Sequence, residues 1–172
     1  GRSPSQIWGN HGTACSGIIS AKTNNNLGVA GIAPNCPVMS ISNQLMGTSD
    51  APQKRADGFN WAWRNGASVI SNSWRSSTFS ELLEDAIQSA MTNGRNGLGC
   101  VVAFSAGNYD SNTVGYPARS LPDIIVVGAL SLSGKRKSST TIDNEGWWGS
   151  DYGTQLDIMA PGVLIYTTDR TG

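Results

Sequence analysis

Among 172 residues there is one histidine, His11. Multi-histidine metal centres are therefore excluded, and any histidine-dependent chemistry runs through that single ring. Cysteine is scarce as well. Cys15, Cys36 and Cys100 are an odd number without C-x-x-C spacing, so at least one thiol is unpaired within the chain and a zinc or redox clip is not indicated. Charge is sparse and balanced, with twelve Lys+Arg against twelve Asp+Glu, 14% of the chain. Nucleic acid and anionic membranes both demand a basic excess, so neither is an expected partner. No apolar run approaches the ~18 residues of a membrane span. No secretory leader is read at Gly1, so the targeting segment of an exported parent is expected outside these residues.

What the chain does have is glycine, 21 residues of it, with frequent Ser and Asn. That composition signals tight turns rather than coiled coil, and the length suits one domain with a core of its own. Strand-like and helix-like stretches alternate. Residues 38–42 (VMSIS) read as a strand, 47–53 as a loop, and 54–65 as a helix with Ala56, Phe59 and Trp63 at helical spacing. Residues 67–71 read as a short strand. Thr78 to Glu81 form a capping-box pattern before a helix that places Leu82, Leu83, Ala86, Ile87, Ala90 and Met91 on one face and closes at Asn93-Gly94. The continuous apolar runs 100–104 and 124–130 suit strands buried on both faces. This order predicts an α/β fold: an open, mostly parallel sheet with helices on both faces. Lys135-Arg136-Lys137 after Gly134 reads as a solvated hairpin turn.

Several segments carry chemical potential. In HGTACSGII (11–19), Asn10 can cap a helix whose first turn holds His11, where a neutral imidazole can accept a proton. Small residues Gly12, Ala14, Ser16 and Gly17 would let this helix pack closely against a neighbour. Taken alone, the segment reads equally well as a capped helix with an incidental histidine. In VVAFSAGN (101–108), an apolar strand empties into a glycine turn ending at Asn108. The carboxyl ends of parallel strands are where open sheets place their sites, and a carboxamide there can donate to a developing oxyanion. An isolated Gly-Asn is nevertheless more often a plain turn. Three further segments, VISNSW (69–74), TVGYPA (113–118) and LDIMAPGV (156–163), read singly as strand, turn or loop. Neither G-x-G-x-x-G nor a P-loop occurs, which argues against a nucleotide-binding α/β domain.

Together and in this order, the segments resemble the subtilisin-like serine peptidases, the subtilases. HGT-x-C-x-G matches the histidine block of that family and SAGN its oxyanion block. NNNLGVAGIAP (24–34), GYPA and DIMAPG match further family segments across nearly the whole chain. The resemblance implies a subtilisin-like fold truncated at both ends, with residues 1–172 forming a partial peptidase domain. It implies peptide-bond hydrolysis by an Asp/His/Ser triad of which only His11, the general base, lies in this chain, with Asn108 as oxyanion donor. The family's aspartate block precedes its histidine, but no acidic residue stands before His11, and its serine block follows the APG segment. The serine of Gly47-Thr48-Ser49 stands at the wrong place in that order to be the nucleophile. The isolated chain is accordingly expected to be inactive.

The resemblance also places substrate contacts. Ser73, Trp74 and Arg75 fall on the segment whose backbone pairs with the substrate, with Gly47 and Ser49 near the opposite edge. Arg75 stands where the family usually has glycine. Ser105, Ala106, Gly107 and Gly115 fall on the pocket for the residue before the cleaved bond, and their small size predicts a roomy, uncharged space. Tyr116-Pro117 falls where a cis peptide is frequent. The carbonyls of Thr23, Leu27 and Val29 and the Asn25 amide oxygen fall on a calcium loop, so Ca²⁺ is a possible ligand, though four neutral oxygens would hold it weakly. Cys15, one helical turn beyond His11, is expected to be a packed, inert thiol rather than half of a Cys–His dyad. Polypeptides are the implied substrates and an extracytoplasmic location is implied. Without the family's serine-bearing helix, the Ile18-Ile19 region and the sheet should expose apolar surface and favour self-association. The alternative is a degenerate, non-catalytic relative that binds peptides or serves a structural role.

Overall fold

The computed structural model describes residues 9–170, which form two compact bodies. The first is drawn from the two ends of the chain, up to Met46 and from Ile165, and the second spans Gly47–Leu164.

The first body is built on α1 (His11–Ser20). Its last turn is closed by the returning chain: Ile32 and Ala33 donate backbone N–H groups to the carbonyls of Ile18 and Ile19, at 3.0 and 2.7 Å. Those carbonyls are helix-end orphans that need such partners. The C-terminal segment straps the same helix. Thr168 Oγ1 donates to the Thr13 carbonyl at 2.8 Å and Thr167 Oγ1 to that of Ala14 at 2.5 Å. Gly17 is required here, since both threonine hydroxyls stand where a Cβ would point. The close packing expected of the small-residue face is thus found at Gly17, whereas Gly12 faces open space. The capping expected of Asn10 is not: its side chain donates to Asp169 Oδ1 at 2.9 Å and accepts no N–H from the helix. Residues 38–42 are not a strand. They are largely exposed and enter no sheet, because β-branched content gives a strand only where another strand supplies hydrogen-bond partners.

The second body is an open four-stranded sheet in the order β1 (Val69–Asn72), β2 (Val101–Ser105), β3 (Ile125–Leu130), β4 (Ile158–Pro161), parallel throughout. Two helices, α2 (Ala51–Arg64) and α3 (Glu81–Gly97), pack together over one face. Phe59, Ala62, Leu83 and Ile87 from the helices meet Ile70, Val102, Phe104 and Val126 from alternate strand positions. The rings of Phe59 and Phe104 stack at 6.3 Å. Two boundaries differ from expectation. α2 begins at Ala51, within the expected loop, because Pro52 sits in its first turn, where its missing N–H costs nothing. α3 is capped by Ser80, whose Oγ accepts from Leu83 N, rather than by Thr78. Its regular winding stops at Gly94 as expected, after which Arg95 and Asn96 turn left-handed.

Lys135 to Lys137 do leave a tight turn, with Ser131 N donating to the Lys135 carbonyl at 2.8 Å, but the stretch is not simply solvated. The Lys137 side chain is 0% exposed. Its Nζ donates to the carbonyls of Ser138 (2.8 Å) and Glu145 (2.9 Å) and to Thr141 Oγ1 (3.1 Å), and pairs with Asp143 at 3.3 Å. A run of like charges says nothing of the oxygens that the following loop, residues 138–145, folds around one of them.

Candidate active site

β1 and β2 are adjacent and parallel, so the segments leaving their carboxyl ends, 73–75 and 106–108, emerge side by side. The first is anchored by Trp74, whose ring meets Phe104 edge-on at 5.0 Å and whose Nε1 donates to Asn72 Oδ1 at 3.2 Å. The Arg55 guanidinium covers the same indole at 4.4 Å. The chain then bridges to the segment after Gly115 through Ser76 N and the Tyr116 carbonyl, at 2.8 Å. The Tyr116-Pro117 bond is cis.

The second segment turns at Gly107, whose φ of +119° is glycine territory. One buried carboxylate holds the turn. Asp151 is 0% exposed, and its Oδ1 accepts from Tyr109 N at 2.8 Å and Ser111 N at 2.9 Å. Its own N–H donates to the Gly107 carbonyl at 2.9 Å, and its Oδ2 stands where a Cβ on Gly107 would point. Asn108 is thereby carried, exposed, on a loop tied on both sides of it. Asp151 was missed from the sequence. Its signal was faint: a lone acid in SDYG (150–153), just ahead of the last apolar run.

Arg75 joins these pieces. Its guanidinium lies 4.2 Å over the Tyr109 ring, and its Nη1 is 3.5 Å from Asp151 Oδ2. Its Cβ, Cδ and Nε lie 3.1, 3.4 and 3.4 Å from where a Cβ on Gly115 would be. Gly115 N in turn donates to the Ala106 carbonyl at 3.1 Å. Ser73 to Arg75, Ser105 to Asn108 and Gly115 are thus brought together in the second body. The expected uncharged space is not what stands beside Gly115: the small residues there are faced by an arginine that reaches back from another segment. Gly47 and Ser49 sit at the start of the same body, in the exposed turn that leads into α2.

His11 is in the first body, exposed, at the first position of α1. Cys15 Sγ is 3.7 Å from His11 Nε2. The thiol is half-buried rather than sealed in a core, because one turn of an exposed helix face brings it beside the ring. Residues 22–30 fold around a recess of about 360 Å³. Asn24, Asn26 and Gly28 all take positive φ there, and Asn25 Oδ1 accepts from Leu27 N at 3.1 Å. The donors offered are neutral oxygens, a chemistry that fits a hard cation, but Lys22 lines the same recess and no carboxylate does. Among the described residues no group of three or more His, Cys, Asp or Glu side chains is clustered for a metal ion, and no helix is long and apolar enough to cross a membrane.

Residues 1–171 match the subtilase family model. The chain is 34% identical over 171 residues to subtilisin NAT of Bacillus subtilis subsp. natto, covering 96% of this chain and 40% of that protein. It is 33% identical to a calcium-dependent protease of Trichormus variabilis, covering 95% of this chain and 26% of that one. A solved structure of the prenylagaramide maturation protease PagA superposes with a TM-score of 0.64 at 26% identity, covering 88% of this chain and 51% of that one. The chain therefore spans about half or less of the length of these relatives. With the family's motifs in order and its open parallel sheet in place, the chain belongs to the subtilase family.

Proposed function

We propose that this chain is part of a serine endopeptidase that hydrolyses peptide bonds through an Asp/His/Ser triad, with His11 as general base and Asn108 as oxyanion donor. The observation that carries the reading is Asn108 itself: an exposed carboxamide on a loop locked by Asp151 at the carboxyl end of β2. A donor that is fixed before the reaction needs no reorganisation when the oxyanion forms. In the reaction His11 takes the serine proton, the serine oxygen attacks the carbonyl, and the Asn108 amide binds the tetrahedral oxyanion. His11 then protonates the leaving amine, and water hydrolyses the acyl-enzyme. The triad aspartate and serine are not assigned to any of the 172 residues, so the isolated chain lacks triad-dependent activity.

Polypeptides are the substrates, met by Ser73, Trp74 and Arg75 on one side and by Gly47 and Ser49 on the other. Ser105, Ala106, Gly107 and Gly115 line the pocket. The enzyme acts outside the cytoplasm. Calcium would be held weakly by the carbonyls of Thr23, Leu27 and Val29 and the Asn25 amide oxygen, all neutral hard donors. In the full-length protein, Asn108→Ala lowers kcat by about 10²–10³-fold with KM little changed, and His11→Ala abolishes measurable turnover. A fluorophosphonate probe labels a serine in the full-length protein and none in the isolated chain. Labelling of the isolated chain, or full activity of the His11 variant, would overturn the assignment.

A further inference from the structure

We propose that Arg75 determines which side chain is accepted before the cleaved bond, selecting acidic residues and excluding large apolar ones. The inference rests on the peptidase reading above and names its substrate class. Arg75 borders both segments assigned to that pocket, 105–107 and Gly115. It lies over the Tyr109 ring next to Asn108, packs along Gly115, and follows directly on Ser73-Trp74. Its stem walls the space in front of Gly115, with Cβ, Cδ and Nε 3.1–3.4 Å from where a Cβ there would stand, and so narrows the room for a bulky apolar group.

The guanidinium is also held in place in advance. Tyr109 stacks on one face, and Asp151 stands behind at 3.5 Å, a loose contact beside the ~2.7–2.9 Å of a strong charge-assisted bond. Asp151 Oδ1 is already taken by two backbone N–H groups, and that carboxylate is closed to solvent, whereas the Arg75 side chain is 40% exposed. The side of the pair that an incoming peptide meets is therefore cationic, with guanidinium donors left for a carboxylate. Pre-ordering by the ring means that little rotamer freedom remains to be lost on binding.

The test is a peptide library, varied at the residue before the scissile bond, given to the full-length protein and to its Arg75→Ser and Arg75→Lys variants. The wild type is expected to cleave after Glu or Asp with kcat/KM at least ~10-fold above Leu or Phe. Such a factor is the discrimination one pocket contact supplies. Arg75→Ser should reverse that order, and Arg75→Lys should keep a weakened acidic preference. A wild type that prefers Leu or Phe overturns the assignment without any variant, as does an Arg75→Ser profile identical to the wild type. Cleavage of no peptide at all overturns the peptidase reading itself, and this inference with it.

Discussion

Two aspartates in the second body show how a single side chain sets the shape of a loop. Asp151 satisfies Tyr109 N and Ser111 N at once from inside the protein. Removing it leaves two amides and the Arg75 cation without their partner. Asp151→Ala should therefore cost about 1–3 kcal/mol, the range for leaving hydrogen-bonding groups unsatisfied, with little added by the solvent-facing Arg75 contact. It should also strip the Tyr109 and Ser111 amides of hydrogen-exchange protection, while Asp151→Asn, which keeps an acceptor, retains much of it. Asp110 works nearer the surface. Ser139 N and Oγ and the Arg136 guanidinium all donate to its carboxylate and hold its pKa down to about 2. The folded value lies below the unfolded one, so the stabilisation is fully present above about pH 4 and fades as pH falls through 2. The stability gap between wild type and Asp110→Asn, followed by urea unfolding, should be constant from pH 7 to 5 and close between pH 4 and 2. A gap that widens on acidification would contradict this.

At the scale of elements, helical periodicity was legible where the hydrogen bonds are local, whereas the caps were not: Asn10 does not cap α1, and Ser80 rather than Thr78 caps α3. α3 could be read because its apolar face recurs at helical spacing, and β2 and β3 because their apolar runs are continuous, although both strands are buried on one face and not, as expected, on two. Residues 38–42 (VMSIS) are β-rich as well and formed no strand, since pairing depends on a partner that composition does not name. The site was legible as motifs but not as contacts. Gly107 and Gly115 read as small, and only the fold shows that Asp151 and Arg75 fill the space beside them. Lys137 was misread for a related reason. Its ammonium lies in a cage of four oxygens supplied by one loop, as a bound metal cation would. Lys137→Met should leave Asp143 buried without its counter-charge and lower Tm by more than about 5 °C. Lys137→Met combined with Asp143→Leu should recover part of that loss. Calorimetry of the two variants decides the matter, and a double variant no better than the single would argue against a charge-pair origin. The loop at 22–30 offers a real cation a weaker set of donors, so millimolar Ca²⁺ should raise Tm by only a few degrees, with half-saturation at about 10⁻⁴–10⁻³ M.

For the molecule as a whole, the sheet of the second body presents two unlike faces. One is sealed by α2 and α3. The other carries Val69, Val101, Ile125 and Ile158, all exposed, with Val69 at 62%. The register lays these residues together: Val69 pairs with Val101, Ala103 with Ile125, and Val127 with Ile158. Side chains on paired residues of a parallel sheet share a face, so the exposed positions form one apolar strip across four strands. In the first body Ile18 and Ile19 are exposed as well. A strip of this kind is uncommon on a monomer and drives association, because covering it returns roughly 25 cal/mol for each Å² removed from water. The isolated chain should therefore sediment as a concentration-dependent mixture of monomer and larger species. Val101→Lys with Ile125→Lys places two charges in the middle of the strip and should shift that mixture to monomer without lowering Tm, since neither residue packs under the helices. If the wild-type chain stays monomeric at several hundred micromolar, or if the double lysine variant associates as strongly, the strip is not what holds the copies together.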